Sequence, residues 1–251
     1  MEFNVKFKDY SNDLWSALKT TVEQVLENET RPIAAFDADG TLWDTDLGEA
    51  FFDFLITHQK VPLPQDPWNH YESLKAQHAP TAYLWLAQIC QGQNLSTIQQ
   101  WVRESVQALH PVPIFEPQKR LIEFLQKKEI DVYVVTASVK WAVEPGAALL
   151  GIPPDRVIGI ETLVRDGLIT DQQLGPISYR HGKVEALLAR TQGKSPFFAS
   201  GNSEGDQELL QSATHLRLAV SAAHQDDKLF RTETNLQKLA KSSGWLSHRF
   251  V

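Results

Sequence analysis

The stretch RPIAAFDADGTLWDTD, residues 31–46, sets Asp37, Asp39, Asp44 and Asp46 directly behind an apolar run. Like charges repel, and a carboxylate that loses water costs free energy, so the grouping calls for a compensating partner. One chemistry that uses such a group is attack on phosphorus. A carboxylate can hold a phosphoryl group covalently and split one hard hydrolysis into two easier steps. It must stay ionised beside a dianionic ester, and Mg²⁺, a hard cation that takes oxygen ligands and keeps several waters, offsets the repulsion. Asp37 is the expected nucleophile. Asp39, two residues on, points to the same side of an extended chain and is placed to protonate the leaving alkoxide and later to activate water.

Groups of complementary type follow other apolar runs. IDVYVV leads into Thr136, Ala137 and Ser138. There Thr136, with Ala137 and the amides of a following helix, could hold phosphate oxygens. SPFFA leads into Ser200, Gly201, Asn202, Ser203, Glu204, Gly205 and Asp206, and Lys183 opens GKVEALLAR. A lysine there would stabilise both the nucleophile and the charge of the transition state. Each signal has a bland reading when alone. Asp-Gly marks turns, Ser and Thr cap helices, and lysines are mostly solvated. Their agreement in order argues for a site.

The elements that must position these groups alternate. Residues 11–27 carry Leu14, Leu18, Val22 and Val25 at helical spacing. PIAAF then reads as a strand. Residues 47–110 read as helices: LGEAFFDFLITH, TAYLWLAQICQG, and STIQQWVRESVQALH with Ser96 and Gln99 as a capping box. VPLPQDPWN and HPVPIFEP read as punctuation between them. Afterwards come helix EPQKRLIEFLQKKE, strand IDVYVV, helix SVKWAVEPGAALLG, strand RVIGI, and a hairpin turning at Asp166-Gly167. Helix GKVEALLAR, strand SPFFA, helix DQELLQSA and strand HLRLAV complete the alternation. The expected architecture is α/β, a Rossmann-like parallel sheet with helices on both faces, interrupted by a helical insert. The expected division is an N-terminal helical extension at 1–30, a core at 31–45 and 112–251, and a cap at 46–111. Ligands of such sheets bind beyond the carboxyl ends of the strands, which is where the candidate residues fall.

Composition limits the alternatives. The 251 residues are 42% hydrophobic and 22% charged, as in globular proteins. A net charge of −7 without a basic stripe argues against a nucleic-acid partner. No apolar run approaches membrane-span length, so no membrane partner is expected. The polar start shows no signal-peptide pattern, and one cysteine, Cys90, forms no internal disulfide; the expected location is cytoplasmic. The histidines lack ligand spacing, so no zinc site is expected.

DADGT, VVTAS, Lys183 and ASGNSEGD together resemble the four motifs of haloacid dehalogenase-superfamily phosphatases. The insert resembles the α-helical cap of the phosphoserine-phosphatase-like subgroup. The resemblance implies a Rossmann-like core, Mg²⁺ dependence with Mn²⁺ as a substitute, and an aspartyl-phosphate intermediate. It implies Asp37 as nucleophile and metal ligand, Asp39 as acid/base with its main-chain carbonyl on the metal, and Thr136 and Lys183 on phosphate. Asp206 would support the metal. The acid at Asp39 speaks against the halide-removing branch. The fourth motif usually begins Gly-Asp, whereas this chain has Gly201-Asn202. An amide oxygen can still ligate Mg²⁺, with one negative charge fewer, and Glu204 stands near enough in sequence to compensate. The expected partner is a small phosphorylated metabolite. Asp46 falls where the subgroup places a substrate-binding acid. With Glu49, Trp43 and the aromatics of the insert, it suggests an amine-bearing ester such as phosphoserine, phosphoethanolamine or phosphocholine. Two other readings are a catalytically weakened relative that binds a phosphorylated ligand, and a phosphoacceptor signalling domain. Signalling receivers are shorter and need no cap.

Overall fold

The computed structural model describes residues 7–251, so the first six residues of the expected extension lie outside it. Among the described residues seven strands form one sheet in the order β4-β3-β2-β1-β5-β6-β7. They are β1 (Ile33–Phe36), β2 (Asp131–Val139), β3 (Val157–Arg165), β4 (Leu168–Leu174), β5 (Phe198–Gly201), β6 (Leu216–Ser221) and β7 (Leu246–Arg249). The helices are α1 (Asn12–Asn28), α2 (Leu47–Thr57), α3 (Pro67–Gln88), α4 (Leu95–Ala108), α5 (Glu116–Lys127), α6 (Lys140–Ala148), α7 (His181–Arg190), α8 (Gln207–Ser212) and α9 (Phe230–Ser242). The pairs β2–β3, β1–β5, β5–β6 and β6–β7 are parallel, and β4 runs antiparallel to β3. This is the expected α/β sheet. No described helix is long and apolar enough to cross a membrane.

The chain divides into two compact units. The first holds the chain up to Thr45, Pro113–Tyr133 and Leu187–Val251; the second holds Asp46–Val112 and Val134–Ala186. Strand β2 begins in the first and ends in the second. This division groups the expected cap residues 46–111 with 134–186 of the expected core at 31–45 and 112–251. The reason is a shared apolar core: Phe52, Leu55, Tyr71, Ile98 and Val102 of the helices pack with Trp141, Ile160 and Ile169 of α6, β3 and β4.

In the first unit β1 is a buried run of four residues, as a central parallel strand requires. Its successor stays in the ladder, since the Asp37 N–H donates to the Ser200 carbonyl at 2.9 Å. The strand order reverses between β1 and β5, which marks the ligand-binding end of such a sheet. Helix α1 starts where the Ser11 hydroxyl accepts the Leu14 N–H, and it buries Leu14, Leu18, Val22 and Val25. Its Trp15 meets Phe124 of α5 edge-on, so the extension packs on this unit.

The second unit contains two departures from the sequence reading. Helix α3 begins at Pro67, capped by Asp66, and runs through a non-helical His78, where the spacing predicted a turn and then a shorter helix. Proline is well suited to a first helical turn, so Pro67 opens a helix here rather than ending one. Helix α4 starts at Leu95 with Asn94 as its cap, not with a Ser96–Gln99 box. The Leu95 N–H donates to Gly167 and the Gly92 N–H to Ile169, so pairing with the hairpin fixes that end. The hairpin turns at Asp166-Gly167 as expected, both at positive φ.

Candidate functional site

In the first unit, the turn after β1 closes through Thr41 and Leu42 N–H groups on the Ala38 carbonyl. This folds Thr41 back under Asp37, which is 6% exposed. The Thr41 hydroxyl lies 2.9 Å from Asp37 Oδ2 and 3.2 Å from Asn202 Oδ1, so it ties the two together. Gly40 permits the approach. Its φ is +74°, and a Cβ there would stand 2.1 Å from Asn202 Nδ2.

Asp39 receives the indole N–H of Trp43 on Oδ1 at 2.8 Å. Trp43 is fully buried. That corrects its expected place among substrate contacts: a ring without exposure does not meet a substrate, and its N–H instead holds the Asp39 carboxylate. Asp44 is exposed.

The loop after β5 is built on its own polar groups. Asp206 Oδ2 accepts from the Asn202 and Ser203 N–H groups at 3.1 and 2.9 Å and from the Ser203 hydroxyl at 3.1 Å. It thereby pins the Asn202 backbone. The Asn202 amide donates to Glu233 Oε1 at 2.9 Å, and Glu233 Oε2 accepts the Ala222 and Ala223 N–H groups. Burial pushes the Glu233 carboxyl above its usual range, and those three donors pull against it. Glu204 is exposed and gives its N–H to Thr232. Buried Gln118 of α5 donates to the Thr41 carbonyl and the Ser200 hydroxyl, both at 3.1 Å.

In the second unit, Thr136 is 2% exposed at the carboxyl end of β2, with Ala137 and Ser138 beyond it. Thr136 Oγ1 accepts the Ser138 N–H at 3.0 Å, and fully buried Ser178 donates to the Thr136 carbonyl at 2.6 Å. Ser178 thus fastens the loop that leads to Lys183. At Gly182 a Cβ would lie 1.9 Å from the Ile177 carbonyl, so the loop closes only around glycine. Lys183 follows in the first turn of α7, 2% exposed. Arg180 and His181 are exposed, His181 paired with Glu185.

The start of α2 lies beside the end of β2: a Cβ on Gly48 would meet Ser138 Oγ at 2.8 Å and Asp46 Oδ1 at 3.3 Å. Asp46 caps the helix, accepting the Glu49 N–H at 2.7 Å. Glu49 is paired with Lys75 at 3.5 Å. The Lys75 ammonium stands 5.1 Å from the Tyr71 ring centre and 5.9 Å from that of Tyr83. Tyr83 packs edge-on against Tyr179. Burial holds the Tyr83 phenol above its usual range, with Tyr179, Asp46 and Glu49 adding to the effect and Lys183 opposing it. The expected substrate acids therefore share one neighbourhood with Lys75 and Tyr71. Trp68 and Trp85 pack against Phe52 and fill the core.

For a cation, the first unit offers carboxylate and amide oxygens. Among the described residues no group of three His, Cys, Asp or Glu gathers as a metal site. A cation bound beside Asp37 would therefore depend on the Asn202 oxygen and main-chain carbonyls as well. That donor chemistry fits a hard ion such as Mg²⁺.

Gln118, Ser178, Glu233 and Lys75 were not found in the sequence. Glu233 alone left a signal: an acid on the inward stripe of an amphipathic helix, in register with buried Leu236 and Ala240.

A family profile described as haloacid dehalogenase-like hydrolase matches residues 34–211. An "inhibition of morphological differentiation protein" of Streptomyces azureus is 30% identical over 132 residues, 51% of this chain; the chain spans about half, 47%, of that relative's length. A crystal structure of a Bordetella pertussis Tohama I protein of unknown function superposes with a TM-score of 0.72 at 19% identity, covering 87% of this chain and 98% of that one. The phospho-aspartyl intermediate analogue of phosphoserine phosphatase gives 0.51 at 16% identity over 76% of this chain and 87% of that one.

Proposed function

The chain belongs to the haloacid dehalogenase-like hydrolase family, and from that premise we propose that it is a Mg²⁺-dependent phosphomonoester hydrolase. The observation that carries this reading is the pairing of a buried Asp37, tied through Thr41 to Asn202, with a second acid two residues on that Trp43 holds in place. Asp37 attacks phosphorus, and Asp39 gives its proton to the departing alkoxide. Asp39 then takes a proton from water, which cleaves the aspartyl-phosphate. Thr136 and Lys183 take the phosphoryl oxygens. Asp37, Asn202 Oδ1 and the Asp39 carbonyl would hold Mg²⁺, or Mn²⁺ in its place. That ion supplies charge compensation for the approach of two anions. Asp206 supports it by fixing the loop that carries Asn202.

The substrate is a small phosphorylated metabolite bearing an amine. Asp46, at the start of α2 beside Ser138, is the acid we assign to recognising it. The test is release of inorganic phosphate from phosphoserine, phosphoethanolamine, phosphocholine and unrelated esters with Mg²⁺, beside Asp37→Asn. Turnover that survives Asp37→Asn rejects the mechanism, and equal rates on all esters reject the amine.

One observation favours a second reading, a phosphate-ligand-binding relative without turnover. The amide of Asn202 stands where the family usually has an acid. Titration calorimetry showing ligand binding, with no phosphate released across Mg²⁺ and Mn²⁺ concentrations, would support it.

A further inference from the structure

Glu233 accepts three N–H groups: two from the backbone of Ala222 and Ala223 on Oε2, and one from the Asn202 amide on Oε1. Ionised Glu233 can only accept, so the end of Asn202 that faces it is then the NH₂. The opposite end, Oδ1, is then the one that lies 3.2 Å from Thr41 Oγ1, beside Asp37. Asn202 is 3% exposed and Glu233 2%, so water has little access to either. Gly40 leaves the amide its space.

We propose that Glu233 is a positioning residue that sets the polarity of the amide at Asn202. It turns an oxygen toward Asp37 and holds, one residue further back, the negative charge that an aspartate at 202 would carry itself. Asn202 and Glu233 are thus one exchanged pair, and an acid at 202 is compatible with the fold only if 233 becomes an amide. The inference rests on the reading of Asp37 and Asn202 as cation ligands, but its stability arm stands apart from that reading.

Three variants of the full chain test it, by calorimetric titration with Mg²⁺ alone and by thermal unfolding without metal. In Glu233→Gln, the Gln oxygen keeps the two backbone donors and its NH₂ meets that of Asn202. Relief comes from a flip of the Asn202 amide, which turns N–H toward Asp37. Mg²⁺ binding is expected to weaken roughly 10- to 100-fold, the range for loss of an orienting partner. Asn202→Asp sets two carboxylates 2.9 Å apart where the amide bond was, and Tm should fall by on the order of 10 °C. The double variant Asn202→Asp/Glu233→Gln restores a donor facing an acceptor with the roles exchanged. It should regain most of that loss and bind Mg²⁺ at least as tightly as the natural chain. Unchanged Mg²⁺ affinity in Glu233→Gln, or a double variant no more stable than Asn202→Asp, overturns the proposal. A natural chain that binds no Mg²⁺ overturns the phosphatase reading instead, while the pattern of Tm values still reports on the pair.

Discussion

Glu233 and Asp206 in the first unit are held mainly by backbone donors on short loops, and both are 2% exposed or less. Glu49 in the second is paired with a lysine whose side chain keeps 30% of its exposure. A backbone donor costs no side-chain entropy to aim and cannot swing away, whereas a lysine can release its partner for the price of a weak contact. The first arrangement suits groups that must be in place before reaction, the second a surface that adjusts to what it binds. Substitutions in the first unit should therefore lower kcat, and those around Glu49 should change KM and substrate preference.

The largest effect is expected at Asp37. Asp37→Asn keeps volume and the bond from Thr41 but removes the attacking charge, so kcat should fall by at least ~10³-fold with Tm nearly unchanged. Asp39→Asn should lower kcat by roughly 10²- to 10⁴-fold, the range for a lost general acid. Its substrate Kd, measured on the Asp37→Asn background, should move little. If either change acted mainly on KM, the distinction between the two regions would break.

Trp43 gives a smaller and sharper test. Trp43→Phe keeps a ring in the core and removes the N–H that orients Asp39. One hydrogen bond to a charged group accounts for roughly tenfold in kcat, and phosphate release under saturating substrate would show it. Wild-type kcat with a reduced Tm would mean that the indole only fills space.

The difference in bracing also explains what could be read from the chain. Asp37, Asp39, Thr136, Lys183 and Asn202 stand at strand ends or just inside a helix, where short apolar runs and turn residues locate them. The Asp166-Gly167 hairpin was legible for the same reason, since its two-residue turn demands positive φ at both positions. Partners that arrive from distant segments were not. Glu233 comes from α9, and neither α9 nor β7 was resolved from the pattern; Gln118 and Ser178 act through main-chain carbonyls that carry no residue signature. VPLPQDPWN reads as punctuation although Pro67 starts a helix, because proline fits both places and only the Asp66 cap decides. Trp43, an aromatic beside acids, was read as a substrate contact. Its zero exposure is a property of packing, which sequence spacing does not report.

The smallest effect, and the one that most sharpens the contrast, belongs to Lys75. Its ammonium neutralises Glu49 and rests over two tyrosine rings. Removing it by Lys75→Met leaves an apolar chain on Tyr71 and takes that ammonium away from the Glu49 carboxylate. A substrate bearing an amine alone then meets a more negative site, while one that also carries a carboxylate meets added repulsion. The ratio of kcat/KM for phosphoethanolamine to that for phosphoserine should rise roughly 3- to 30-fold, the span expected from gaining or losing one partly solvated charge contact. Stability should change little, because a partly solvated ion pair contributes little to it. The gain should shrink as salt is raised from low to physiological levels, since exposed charges are screened. An unchanged ratio would place Asp46, Glu49 and Lys75 outside the substrate's reach. A fall in kcat shared by both esters would instead assign Lys75 the fixed, chemistry-holding character of the first unit.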